Sequence, residues 1–256
     1  MRYEVLGDLR VADESNYAYI SARKVAILLA LLVIRRGGFV SVSQIIDEIW
    51  EDRPPAKANG ALHVYVCQLR KFLKNLSTTD SQVLTRSSGY LLHLGKDELD
   101  LQIFQDLIQQ GREQMQDRRF REAAQSFDDA LALWRGPALT DLEGGPIIRA
   151  FAAWVDEIRL ECVELRIEAG FALGRHREHV GQLYALTSEH PLREVFYRQL
   201  MLALYHSDLQ ADALRVYQSA RDTLRQELGL DPCRRLRDLH RSILTSDIRL
   251  RLPAAS

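Results

Sequence analysis

The sequence predicts a mostly α protein with a small β part: an N-terminal winged helix-turn-helix followed by an all-α, tetratricopeptide-like domain. Two observations carry this. Between Ser41 and Leu94 the chain reads helix, proline-broken turn, basic helix, then a two-stranded hairpin tipped by Ser87-Ser88-Gly89. That is the order a winged helix-turn-helix needs to lie on a duplex. After Gly95-Lys96-Asp97 strand patterning all but disappears, and helix patterning runs from Leu99 to Ile248. The expected domains are therefore residues 1–96, binding DNA, and residues 97–256, helical, each long enough for its own core.

Taken in order, Arg2 to Val11 alternates apolar and polar positions around Gly7-Asp8, as a short hairpin does, and Tyr17 to Ser21 reads as a third strand. Ser21 is placed to cap a helix from Ala22 to Arg36, which Gly37-Gly38 ends. Its apolar run, Val25 to Ile34, falls short of the roughly 18 residues of a membrane span. No small-residue cleavage site follows it, so it reads as a buried helix and not a signal peptide. Phe39-Val40 is a brief extended link. Ser41 or Ser43 caps a second helix reaching about Trp50, whose Val42, Ile45, Ile46 and Ile49 share one face. Pro54-Pro55 stops it. The third helix, Ala58 to Leu76, has a buried stripe of Leu62, Val66, Leu69 and Leu73. Val83–Thr85 and Tyr90–Leu94 then pair across Arg86 to Gly89.

In the second half a small–large–small pattern recurs in Ala123/Phe127/Ala130 and Ala213/Tyr217/Ala220, with Gly181/Ala185/Ser188 between them. Small residues at this spacing let the paired helices of tetratricopeptide-like hairpins approach closely. The units lie about 58 and then 32 residues apart, so the array is irregular, and a loop with Gly136-Pro137 and Gly144-Gly145-Pro146 fills part of the wider gap.

The charge is uneven. Residues 1–96 carry 13 Lys+Arg against 9 Asp+Glu, a net of +4, and residues 97–256 carry 21 against 26, a net of −5. Arg53, Lys57, Arg70, Lys71, Lys74 and Arg86 face Asp80 alone across Arg53–Arg86. A basic face on a near-neutral chain fits a specific DNA reader better than a general polyanion binder. The third helix is the candidate recognition helix, since a helix fits the major groove and its polar side chains reach base edges or phosphates there. The expected DNA-facing residues are Lys57, Asn59, His63, Tyr65, Gln68, Arg70, Lys71 and Arg86. Gln68 and His63 are read as base contacts and Arg70 and Lys71 as phosphate contacts. Arg86 sits at a wing tip that rests in the minor groove.

Other chemistry finds no support. Cys67, Cys162 and Cys233 are odd in number and widely spaced, which reads as small hydrophobes in a reducing cytosol. His176-Arg177-Glu178-His179 lacks HExxH and a nearby Cys, and reads as a solvated turn between helices. The carboxylates Asp128-Asp129 and Asp156-Glu157 read as ordinary surface charge. With no GxGxxG, P-loop or GxSxG, neither an enzyme nor a cofactor or metal is expected.

Three segments together resemble the Streptomyces antibiotic regulatory protein family of transcriptional activators. The first is Met1 to Leu6 with the helix after Ala22-Arg23. The second is Asn59 to Leu73 with Thr85-Arg86-Ser87-Ser88-Gly89-Tyr90, similar to that family's recognition helix and wing and to OmpR-type winged helices. The third is His190-Pro191-Leu192-Arg193 through Tyr205, then Ala213 to Tyr217, Glu227 to Pro232 and Leu239-His240. It resembles the bacterial transcriptional activator domain. Gly60 and Gln68 stand where OmpR-type helices often carry Arg, so the base preference does not carry over, and Cys233 stands where the family commonly has Gly.

The resemblance implies activation of a secondary-metabolite (antibiotic) gene cluster by a homodimer on direct repeats at promoters, recruiting RNA polymerase holoenzyme. The turn Glu51 to Lys57 lies where OmpR-like activators touch the sigma factor. Trp50, Glu51, Asp52 and Arg53 are the expected contacts. The chain resembles the small form of the family, without receiver or nucleotide-binding domains, and is expected in the cytoplasm, associated with the nucleoid and not a membrane. Two alternatives stay open: a tetratricopeptide-like protein-interaction module, and a ligand-sensing repressor.

Overall fold

A computed structural model describes residues 1–12, 16–76, 79–142 and 144–245. By compactness the chain divides into Met1–Gln110 with Ser126–Cys162, and Gly111–Gln125 with Val163–Ser256. The first unit thus takes in residues on both sides of position 96. The end of the expected second domain, with Ile248, lies outside the described residues.

In the first unit, β1 (Arg2–Glu4), β2 (Arg10–Ala12) and β3 (Tyr17–Ala18) form an antiparallel meander. A two-residue strand that the patterning did not reveal, β7 (Glu98–Leu99), adds parallel to β1. Two buried carboxylates, Glu4 of β1 and Asp100 just after β7, tie this sheet together. Glu4 is 3% exposed and meets Arg2 and Arg10 at 2.5 Å and Arg135 at 3.3 Å. Burial alone would raise its carboxyl, but hydrogen bonds from Arg10 and Arg2 outweigh it and hold the group below the usual range. Asp100 accepts the backbone N–H groups of Val5, Leu6 and Leu101 at 2.8–3.0 Å. Burial still pushes it up to about 6.

Helix α1 (Arg23–Ile34) is buried from Val25 to Val33. Ala22, not Ser21, is its N-cap, and no side chain caps it; its stability comes from burial, so the missing cap is tolerated. Left-handed Gly37, at φ 78°, follows its end. The expected link at Val40 is a strand, β4 (Val40–Ser41). Ser41 then caps α2 (Val42–Trp50), its side chain accepting from the Gln44 N–H while the Gln44 side chain returns to the Ser41 N–H. Helix α3 (Ala58–Asn75) buries Leu62, Val66, Leu69 and Leu73 against α1 and α2. Strands β5 (Gln82–Arg86) and β6 (Gly89–His93) form the wing, with β4 on the other side of β6. Gly89 is required there: a Cβ would lie 2.0 Å from the Val40 carbonyl oxygen.

Helices α4 (Asp100–Gln116), α5 (Phe120–Ala132) and α6 (Pro146–Ala172) each contribute to both units. The first unit's share includes Phe104, edge-on to Trp134 at 5.5 Å.

In the second unit, α8 (Glu194–Tyr205) packs against α7 (Val180–Glu189), α9 (Gln210–Leu228) and α10 (Arg234–Leu244). Ala213, Tyr217 and Ala220 are buried as the small–large–small pattern predicts, and so are Ala123, Phe127 and Ala130 of α5. Gly181, Ala185 and Ser188 are exposed, which corrects the middle unit of the repeat. Helix α7 packs instead through Leu183, Leu186 and Thr187, because larger apolar side chains bury more area than the small ones. His176 corrects the expected solvated turn. It is 5% exposed, stacked on Phe171 at 4.6 Å and against His206 at 4.3 Å. Its ring is large enough to fill the helix junction. Cys162 is buried as a small hydrophobe should be, whereas Cys67 and Cys233 are exposed.

Candidate nucleic-acid interface

Helix α3 turns its buried stripe inward, so the opposite row is set by the helical period: Gly60, Val64, Cys67 and Gln68, Lys71, Lys74. All are exposed, Val64 by 53%. Among the described residues neither Lys71 nor Lys74 has an ion-pair partner, and no acidic residue occurs in α3. Lys57 and Asn59 are exposed at its N-terminus and Arg86 at the wing tip. The tip is braced from below, the Ser88 carbonyl accepting the Val42 N–H at 3.0 Å.

The other expected DNA contacts lie on the flanks of α3. Arg70 donates through Nε and Nη2 to the Val83 carbonyl at 3.1 and 2.9 Å, and through Nη2 to Thr85 Oγ1 at 2.8 Å. His63 Nδ1 lies 3.0 Å from the Tyr90 hydroxyl. Seven residues apart, these two side chains stitch α3 to β5 and β6 and fix the angle between helix and wing. Tyr65 lies on the opposite flank, half-buried against Trp50 at a ring separation of 5.8 Å. Lys24 Nζ stands 4.9 Å from the Trp50 ring. Trp50, at the end of α2, thus stands half-buried between Lys24 of α1 and Tyr65 of α3.

Val64 and Cys67 also stand on the outward row, where residue type alone does not mark them. Their signal was position opposite the buried stripe, not residue type. An exposed apolar side chain among polar neighbours suits the C5-methyl of thymine.

The turn between α2 and α3 is exposed from Glu51 to Lys57. Glu51 closes α2 at φ 51°, a strained value for a residue with a Cβ. Trp50, Glu51, Asp52 and Arg53 border a cleft of about 430 Å³ that also touches Arg23 and Lys24. Among the described residues no group of three or more His, Cys, Asp or Glu is arranged to hold a metal ion, and no helix is long and apolar enough to cross a membrane.

The model of the family "Transcriptional regulatory protein, C terminal" matches residues 20–92, and that of the "Bacterial transcriptional activator domain" matches residues 99–244. The regulatory protein DnrI of Streptomyces peucetius is 33% identical over 96% of this chain and 93% of its own length. The regulatory protein AfsR of Streptomyces griseus is 34% identical over 99% of this chain, which spans only 26% of that longer relative. The solved structure of Mycobacterium tuberculosis EmbR in complex with a low-affinity phosphopeptide superposes with a TM-score of 0.89 at 33% identity, over 96% of this chain and 65% of that one. The chain belongs to the Streptomyces antibiotic regulatory protein family of DNA-binding transcriptional regulators, joining an OmpR-type winged helix to a bacterial transcriptional activator domain.

Proposed function

We propose that this protein activates transcription of an antibiotic biosynthetic gene cluster, binding direct repeats at its promoters and recruiting RNA polymerase holoenzyme, with no catalysis of its own. The observation that carries the reading is the outward row of α3, basic and without acid, beside the exposed Arg86. Residues 1–96 supply DNA contact, and residues 97–256 support dimerisation and polymerase contact. Gln68 and Val64 read bases. Lys57, Lys71 and Lys74 meet phosphates and Arg86 enters the minor groove at the wing tip, with Asn59 at the entrance of the major groove. His63, Arg70 and Tyr65 shape this surface from its flanks, each with an edge left to reach DNA. Trp50, Glu51, Asp52 and Arg53 present the turn to the sigma factor. Two protomers on repeats spaced by whole helical turns set both recognition helices on one side of the duplex.

The test is a gel shift of the full chain over a range of salt, with a promoter fragment carrying direct repeats and the same fragment scrambled. Selective binding in two steps is expected, with a salt slope of about −0.9 for each phosphate neutralised. Equal binding to both duplexes would reject specific recognition.

A further inference from the structure

Glu48 is buried to 2% exposure in the last turn of α2. That is the wrong end of its own helix for an anion, because the unpaired carbonyls there carry partial negative charge. Among the described residues no Lys or Arg pairs with it. A buried carboxylate in that position needs another source of positive potential. It finds one in the start of α6: Oε2 accepts the Ile147 N–H and Oε1 the Ile148 N–H, both at 2.8 Å. Glu48 therefore serves as the N-terminal cap of a helix about a hundred residues away in sequence.

The Gly144-Gly145-Pro146 loop makes the approach possible. Both glycines are buried, and a Cβ on Gly145 would lie 2.8 Å from the Cα and the carbonyl oxygen of Glu48. Proline suits the first turn of α6, where its missing N–H costs nothing. One turn into α6, Arg149 reaches back: its Nη1 donates to the Gly144 carbonyl at 2.9 Å and to Glu51 at 3.2 Å. Arg23 adds a third tie, its Nε donating to the Leu142 carbonyl at 3.0 Å. Glu51 is the strained residue that opens the exposed turn.

We propose that Glu48 is a positioning residue for the turn 51–57: by capping α6 through the Gly145 joint it holds the turn in the conformation that activates transcription, separately from DNA contact. The proposal rests on reading that turn as the activation surface.

The test uses the full chain and two variants. Glu48→Gln keeps shape and one acceptor but loses the charge. Gly145→Ala adds one methyl group that has no room. Both are first shown to be folded by circular dichroism. Hydrogen exchange of the amides in 51–57 is then followed by mass spectrometry. On one promoter template, binding is measured by fluorescence anisotropy and transcription at saturating occupancy. Exchange in the turn is expected to quicken about fivefold to tenfold, as for loss of a helix cap. The wing, residues 82–93, should stay protected. Affinity should stay within about threefold while transcription at saturation falls, an outcome that a merely stabilising role would not produce. Lys71→Ala should show the reverse: weaker binding with an unchanged turn. Unchanged exchange in 51–57, or full transcription at saturation in both variants, would overturn the proposal. If the wild-type protein itself gives no stimulation, the activator reading fails, and the exchange measurement alone decides whether Glu48 holds the turn.

Discussion

Helices α3 and α9 are nearly equal in length, 18 and 19 residues, and each buries one apolar stripe, yet their outer faces differ in kind. Helix α9 carries Asp212, Asp222 and Glu227 with Arg215, Arg221 and Arg225, and it pairs Arg215 with Asp212, and Arg225 with Asp231 at 2.8 Å. Its surface is close to self-neutralised. Helix α3 has Arg70, Lys71 and Lys74 and no acid. Among the described residues Arg70 alone of these three is engaged, and its partners belong to the wing. Amphipathicity alone therefore does not separate a helix that reads a polyanion from one that builds a scaffold. The unpaired charge on the outer face does.

The comparison predicts where the two helices should behave alike. Leu69→Ala in α3 and Leu224→Ala in α9 each empty a site exposed by 3% or less, and each should cost about 2–5 kcal/mol of stability by chemical denaturation. A tolerant Leu69 would mean that α3 is not seated on α1 and α2 as described.

They should part on the outer face. Lys71→Ala should weaken binding to any duplex and lower the salt slope by about one. Arg215→Ala should leave both unchanged, because that guanidinium is already paired on a surface remote in kind from a phosphate reader. Equal losses from both would erase the distinction.

A smaller effect separates the two units by pH. Burial raises Asp100 in the first unit to about 6, so its charged form is disfavoured in the folded state and this group contributes stability as pH falls from about 6 towards 4. In the second unit burial lowers His176 and His206, and for His176 the neighbouring His206 and His179 add to it. Arg175 and Arg177 flank that turn as well. The unfolded chain takes up these protons first, so stability is lost as pH falls below about 6.5. Between pH 7 and 5, amide protection, corrected for the intrinsic pH dependence of exchange, should fall in α7 and α8 before it does in β1 and β2. The opposite order would contradict the assignment of these buried groups.

Much of this was legible in the sequence where a period dominates. The stripes of α2 and α3 follow from spacing, the Ser41 cap from its residue type, and the wing from two alternating segments around a glycine. Three kinds of feature were not legible. Strands β4 and β7 are two residues each and owe their existence to partners distant in sequence, which no local period reports. Gly181, Ala185 and Ser188 carry the expected spacing on the wrong face, because the apolar stripe of α7 determines which side packs. At the interface, periodicity marks the outward row of α3 but not what its flanks touch. Residue type marks His63 and Arg70 as candidate DNA contacts but not their bonds to the wing, which depend on a hairpin that folds back from further along the chain. Val64 is the reverse case: its apolar type gives no hint of its exposed place on the outward row.

The most direct test of α3 as the reading helix is the affinity of Gln68→Ala for the promoter repeat and for the scrambled duplex, measured side by side at one salt concentration. A loss of about 1–3 kcal/mol on the repeat alone, with unchanged binding to scrambled DNA, is the expected result for a base contact. Equal loss on both duplexes, or no loss on either, would contradict it and return the outward row of α3 to the status of a solvated surface.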